Sequence, residues 1–167
     1  MAEGKGESNM REITGISIEP LASRLNTLQT LSEWFELEWP AYYGAGGPGD
    51  ARRDLETYAN QGNLPTGVVA LHAGAVCGVA VLKADSIASH RHLSPWAAAG
   101  LVKTSMRGQG VGRLLLAALE DEARKLGFDH IYCGTSTAEN LLRRCGWRLL
   151  ERIDHEGEPL GIYAKAL

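Results

Sequence analysis

A chain of 167 residues, 44% of them hydrophobic, suits one compact domain with a single core better than two smaller ones. Its 17 Lys and Arg stand against 20 Asp and Glu, so the formal net charge of -3 supplies no field that would gather nucleic acid, and the acidic balance leans instead towards a cationic or amine-bearing substrate. Three cysteines, Cys77, Cys133 and Cys145, lack the paired spacing of a disulfide framework or a zinc site, which predicts no metal and fits a reducing cytoplasm.

Residues 1–11 are polar and Gly-rich, without the apolar run of a signal peptide or a membrane helix, so they are expected to form a flexible tail ahead of one domain over 12–167. Ile13, Ile16 and Ile18, bounded by Pro20, predict a first strand over 12–19. Leu21, Leu25, Leu28, Leu31, Trp34, Phe35 and Leu37 recur at helical spacing and predict one amphipathic helix that stops near Pro40. After the turn-rich stretch 44–49, Asp50 is placed to cap a short helix through about Ala59, with Leu55 and Tyr58 on one face.

Residues 66–72 and 76–83 are Val-rich runs separated by Ala73, Gly74 and Ala75, the pattern of a hairpin. A polar connector over 85–95 leads to a fourth apolar strand over 96–103. Val111, Leu114, Leu115, Ala118, Leu119 and Ala123 then form the stripe of a helix over about 110–126, with Gly127 as its stop. A fifth strand over 129–134, a short helix over 137–145 and closing strands over 147–153 and 159–166 complete the order β-α-α-β-β-β-α-β-α-β-β. No internal repeat is evident, and a mixed α/β sheet covered by helices follows.

The chemistry concentrates between Gly100 and Leu116, where an apolar strand runs through Arg107, Gly108, Gln109, Gly110, Val111 and Gly112 directly into the longest helix. Glycines at such a turn let the backbone approach a ligand closely, and the helix N-terminus favours an anion such as pyrophosphate. Arg107 and Arg113 add cationic donors, whereas a plain tight turn would not require them. A dinucleotide fingerprint would need glycine at Arg113 or Leu115, and a phosphate loop would need Gly-Lys-Ser/Thr where the chain has Gly112, Arg113 and Leu114.

The run Arg107 to Gly112 resembles the R/Q-x-x-G-x-G/A signature of the GNAT acetyltransferases, and the resemblance extends from the β-α-α start to Cys145, Gly146 and Trp147. It implies a mostly antiparallel central sheet whose fourth and fifth strands splay apart, with acetyl-CoA as cosubstrate. The backbone of Leu101, Val102 and Lys103 would meet the pantetheine and thioester. Arg107, Gly108, Gln109, Gly110, Val111, Gly112 and Arg113 would hold the pyrophosphate. The implied reaction is direct transfer of acetyl to a primary amine of a small molecule, a peptide N-terminus or a lysine, with no membrane or nucleic-acid partner. Homodimers are common in such a family. An acyl-CoA-binding regulatory module is the alternative.

One departure bears on catalysis. Family members often carry Tyr in F/Y-Y-x-x-x-G-F/W to protonate the leaving thiolate, but here that position is Leu142, so Tyr132, Tyr163 or solvent would have to serve. Glu36, Glu38, Asp85, His90 and His92 lie in segments that the implied fold brings towards the acceptor, although each also reads as a solvated surface residue. Trp34, Trp39, Tyr42 and Tyr43 would add an aromatic lining suited to a cation, with core packing an equal account of Trp34. Arg143 and Arg144 are expected to face water, and Cys145 to be a small apolar filler.

Overall fold

The computed structural model describes residues 15–167, so the expected tail over 1–11 and Ile13 lie outside the described part. Strand β1 (Ile16–Pro20) is followed by two 3-10 turns, Leu21–Ser23 and Leu25–Thr27. Helices α1 (Leu28–Glu38), α2 (Pro40–Tyr43) and α3 (Ala51–Tyr58) come next, then β2 (Thr66–His72), β3 (Ala75–Lys83) and β4 (Trp96–Val102). The chain ends with α4 (Val111–Lys125), β5 (His130–Thr135), α5 (Glu139–Arg144), β6 (Arg148–His155) and β7 (Glu158–Ala166).

The single helix expected from Leu21 to Pro40 is therefore four pieces. Leu21 begins a separate 3-10 turn and packs on β2, its side chain 3.0 Å from where a Cβ on Gly67 would stand. At the other end Trp39 has φ −124 and ψ 63, outside the helical region, as the ring of a following proline demands, and Pro40 then starts a new helix. The apolar stripe is narrower than its spacing implied. Leu21, Leu28, Leu31 and Phe35 are buried, whereas Leu25 and Leu37 are 57% and 81% exposed. Leu37 follows Phe35 by two positions, which puts it on nearly the opposite side of the helix.

The seven strands form one sheet in the order β1-β2-β3-β4-β5-β7-β6. Both hairpins turn on two residues. Ala73 and Gly74 have φ 51 and 81, and Glu156 and Gly157 have φ 53 and 83, the doubly positive geometry that matches strand twist. All neighbouring pairs are antiparallel except β4 and β5, which run parallel and share only the Trp96–Tyr132 ladder pair among the described residues. β4 also carries an extra residue. Between the pairs Val79–Leu101 and Val81–Ala98, Ala99 and Gly100 face a single partner residue, and Ala99 takes φ 50, so the strand bends away at a bulge.

Each face of the sheet is covered. Helix α4 lays Val111, Leu115, Leu116, Leu119 and Ala123 against Val68, Ala80, Ala97 and Ile131, where each fully buried leucine contributes about 1.5–3 kcal/mol. On the other face, Phe35 and Leu31 of α1 and Leu55 of α3 pack on Val69, Val79, Val81 and Leu101. Past the splay on that same face, Ile87 of the 85–95 connector covers Trp96 and Ile162. Gly127 ends α4 as expected, at φ 89, with Phe128 N–H reaching back to the Ala123 carbonyl at 3.0 Å. No helix among the described residues is long and apolar enough to cross a membrane.

Candidate functional site

The splay between β4 and β5 leaves the far half of β4 without a partner strand on one side. Gly100 is exposed there, and no atom lies within 4 Å of where a Cβ would stand, so the bulge opens a floor of bare backbone. Lys103 lies one residue past the end of β4, although its N–H still reaches the Cys77 carbonyl at 2.8 Å.

The chain then makes a 3-10 turn, Thr104–Met106, and enters the glycine run. Gly108 and Gly110 have φ 76 and 87, a region in which a side chain is strained. Gly110 is the N-cap of α4 and has no side chain to offer, so the N–H groups of the first turn receive no side-chain cap and the positive end of a 15-residue helix meets solvent. Gly112 has a different role. A Cβ there would stand 2.9 Å from Leu141 Cδ2, so its absence lets α4 approach α5.

Arg107 spans the mouth of the splay. Its Nε donates to the Val102 carbonyl at 3.0 Å, and its guanidinium lies 4.0 Å from the Glu38 carboxylate at the end of α1. Lys103, Arg107 and Arg113 are all exposed, and Gln109 Nε2 donates to the Ser105 carbonyl at 3.3 Å. The residues expected to meet pyrophosphate thus share one exposed helix N-terminus. Beside it lies a cleft of about 400 Å³, lined by Trp34, Leu37 and Glu38 of α1, Leu101 and Val102 of β4, and Lys103, Thr104, Ser105 and Arg107.

The side chains considered for proton transfer fall in different places. Glu38 lines the cleft. His90 and His92 do not, since they sit on the connector that covers β5, β7 and β6. There His90 Nε2 is 2.9 Å from Glu151 of β6, His90 Nδ1 is 2.7 Å from Ser89 Oγ, and the His92 ring stacks 5.7 Å away. Tyr132 stands at the vertex of the splay, half-buried, its ring 5.8 Å from Trp96 and 6.3 Å from His130. Glu36 and Asp85 are exposed and do not line the cleft.

Leu142 is buried in the core beside Tyr163. Tyr163 is itself fully buried, and its hydroxyl donates to Glu139 at 2.8 Å. Burial and that hydrogen bond hold the phenol above its ordinary range. The Tyr163 bond first, then Arg152, holds the Glu139 carboxyl below its own. The tyrosine proton is therefore engaged in a structural contact. Of the aromatic residues at the end of α1, Trp34 lines the cleft, while Trp39 and Tyr43 pack with Phe35 and the Tyr43 hydroxyl donates to Asp54 at 2.7 Å. Tyr42 lies edge-on to Tyr43 and is half exposed.

Cys145 packs at the edge of the main core, and burial raises its thiol. Arg143 covers the Tyr163 ring at 5.9 Å, and Arg144 is exposed. Leu37, which periodicity assigned to the core, instead joins the cleft; only its angular position relative to Phe35 carried that signal. Among the described residues no group of three or more His, Cys, Asp or Glu is arranged to hold a metal.

The model of the acetyltransferase (GNAT) family matches residues 31–147. No curated protein sequence is significantly similar to the chain. The fold resembles that of the aminoglycoside 6'-N-acetyltransferase from Enterococcus faecium, with a TM-score of 0.71 at 17% identity over 90% of this chain and 96% of that one. An acetyltransferase of the GNAT family from Streptococcus pneumoniae gives 0.65 at 16% identity, over 91% and 99% of the two chains. An aminoglycoside 6'-N-acetyltransferase complexed with coenzyme A gives 0.68 at 17% identity, over 83% and 89%.

Proposed function

Since the chain belongs to the GNAT acetyltransferase family, we propose that it moves the acetyl group of acetyl-CoA directly to a primary amine of a small molecule or peptide. The observation that carries this reading is the open N-terminus of α4, where Gly108 and Gly110 at positive φ present backbone beside Arg107 at the mouth of the splayed strands. Two adjoining phosphates match that arrangement of N–H groups, helix dipole and guanidinium. The structurally similar aminoglycoside enzyme was crystallised with coenzyme A.

In the proposed reaction Arg107, Arg113 and the N–H groups of residues 108–112 hold the pyrophosphate, and the bare backbone of Leu101, Val102 and Lys103 aligns the pantetheine arm. The neutral amine nitrogen attacks the thioester carbonyl carbon, the carbonyl oxygen gathers negative charge, and a backbone N–H of β4 stabilises it. The C–S bond then breaks, leaving the amide and coenzyme A thiolate. The nitrogen must lose a proton, and Glu38, which lines the cleft, is the proposed acceptor, directly or through water. His90 is the less favoured base, because both its ring nitrogens already face partners. Tyr132, at the vertex, is the remaining side chain for protonating the thiolate, and solvent is its alternative. Most of the rate advantage would come from positioning.

A second reading, an acyl-CoA-binding regulatory module, is favoured by the buried Leu142 at the position where many members of the family have tyrosine. Release of free thiol from acetyl-CoA, followed across amino acids, peptides, polyamines and aminoglycosides, separates the two. The enzyme reading expects amine-dependent release that falls in Arg107→Ala and Gly110→Trp. Tight acetyl-CoA binding without release from any amine would favour the module, and no binding at all would overturn both.

A further inference from the structure

The cleft beside the β4 splay has an uneven chemical lining. One wall, from α1, presents Trp34, Leu37 and Glu38, and the other presents Leu101 and Val102 of β4 followed by Lys103, Thr104, Ser105 and Arg107. Leu37 is 81% exposed on a helix face where its neighbours Glu36 and Glu38 are also exposed, so folding gains little from a leucine there. Among the described residues the cleft is lined by one carboxylate, Glu38, against two cations, and that carboxylate stands 4.0 Å from Arg107. The cleft of about 400 Å³ must also admit the thioester end of the pantetheine arm, so only a fraction of it is left for an acceptor.

Resting on the acetyltransferase reading above, we propose that the acceptor is a small monoamine carrying an apolar or aromatic substituent, with its ammonium on Glu38 and its apolar part between Trp34 and Leu37. When the pyrophosphate takes Arg107, Glu38 loses its cationic neighbour and one ammonium can replace it. A second or third ammonium, as in spermidine or kanamycin, would find no further carboxylate among the described lining residues and would stand near Lys103. The aminoglycoside specificity named for two structurally similar enzymes is therefore not expected here.

The test is kcat/KM for 2-phenylethylamine, spermidine and kanamycin at saturating acetyl-CoA, with acetyl-CoA binding followed separately as a shift in melting temperature. 2-Phenylethylamine is expected to exceed both polycations by at least roughly tenfold. Glu38→Gln should raise KM and lower kcat for 2-phenylethylamine while leaving the acetyl-CoA shift in place. Leu37→Asp, at a site exposed enough for the fold to tolerate it, adds a second carboxylate and should narrow the preference over spermidine by about tenfold. Spermidine or kanamycin used as well as 2-phenylethylamine, or a preference unmoved by Leu37→Asp, would overturn the inference. Turnover of none of the three by protein that binds acetyl-CoA would also overturn it and leave the cosubstrate site standing. Absence of any acetyl-CoA shift would remove the acetyltransferase reading, and this inference with it.

Discussion

Replacing Gly110 with alanine separates backbone strain from ligand binding. Gly110 has φ 87 at the N-cap of α4, and a left-handed conformation costs an L-residue about 1–2 kcal/mol. In a domain of this length that loss lowers the melting temperature by about 2–8 °C. Gly62 is the matched control, since its φ of 83 imposes the same strain in the loop between α3 and β2, with no atom within 4 Å of an added Cβ. Gly110→Ala and Gly62→Ala are therefore expected to melt at similarly reduced temperatures. They should differ in affinity for acetyl-CoA. A shifted loop at Gly110 loses charge-assisted N–H contacts to phosphate worth about 1.5–3 kcal/mol each, so its Kd should rise roughly tenfold or more. Gly62→Ala should bind as the parent does. Differential scanning calorimetry and isothermal titration with acetyl-CoA read the two quantities. A Gly110→Ala protein with unchanged melting temperature, or two variants with equal affinity, would refute the assignment of this loop.

Three further outcomes are expected. Leu142→Tyr, which introduces the tyrosine of the motif named above, forces a larger side chain into a site that is 1% exposed and should cost about 1–3 kcal/mol without raising kcat, as thermal melts and thiol-release rates would show. The Glu139 carboxyl is held below its ordinary range chiefly by the Tyr163 hydroxyl, so its contribution to stability is present above the unfolded carboxylate pKa and is lost as pH falls through the folded value. Melting curves from pH 7 down to about 3 should accordingly show Tyr163→Phe converging on the parent protein at the acid end. Burial pushes the Cys133 thiol up to about 12 and raises Cys77 and Cys145 as well, so native protein should react slowly with Ellman's reagent at about pH 8 and rapidly once unfolded in guanidinium.

The elements that the sequence announced are those whose signal is local. The stripe on α4, its stop at Gly127 and the glycines before it depend on residues within a turn or two of one another, as do the hairpin at Ala73 and Gly74 and the cap at Asp50, whose side chain accepts from the Arg53 N–H at 3.1 Å. Spacing misled at α1, because periodicity reports that residues share a face but not that the chain stays helical. Leu21 is held by a contact with Gly67 far along the chain, and Pro40 restarts the helix where it was expected only to end it.

Residue order and turn chemistry alone were enough for the mixed sheet and for the glycine loop that leads into α4. They could not say that β7 enters between β5 and β6, that β4 bulges at Ala99 and meets β5 at a single pair, or that Leu142 is sealed in the core. Nor could they bring Glu38 to Arg107 while leaving His90 against Glu151 on the far side of β4. Each of those facts joins residues widely separated in the chain, and such contacts are settled only when the strands pair and the helices choose a face of the sheet to cover.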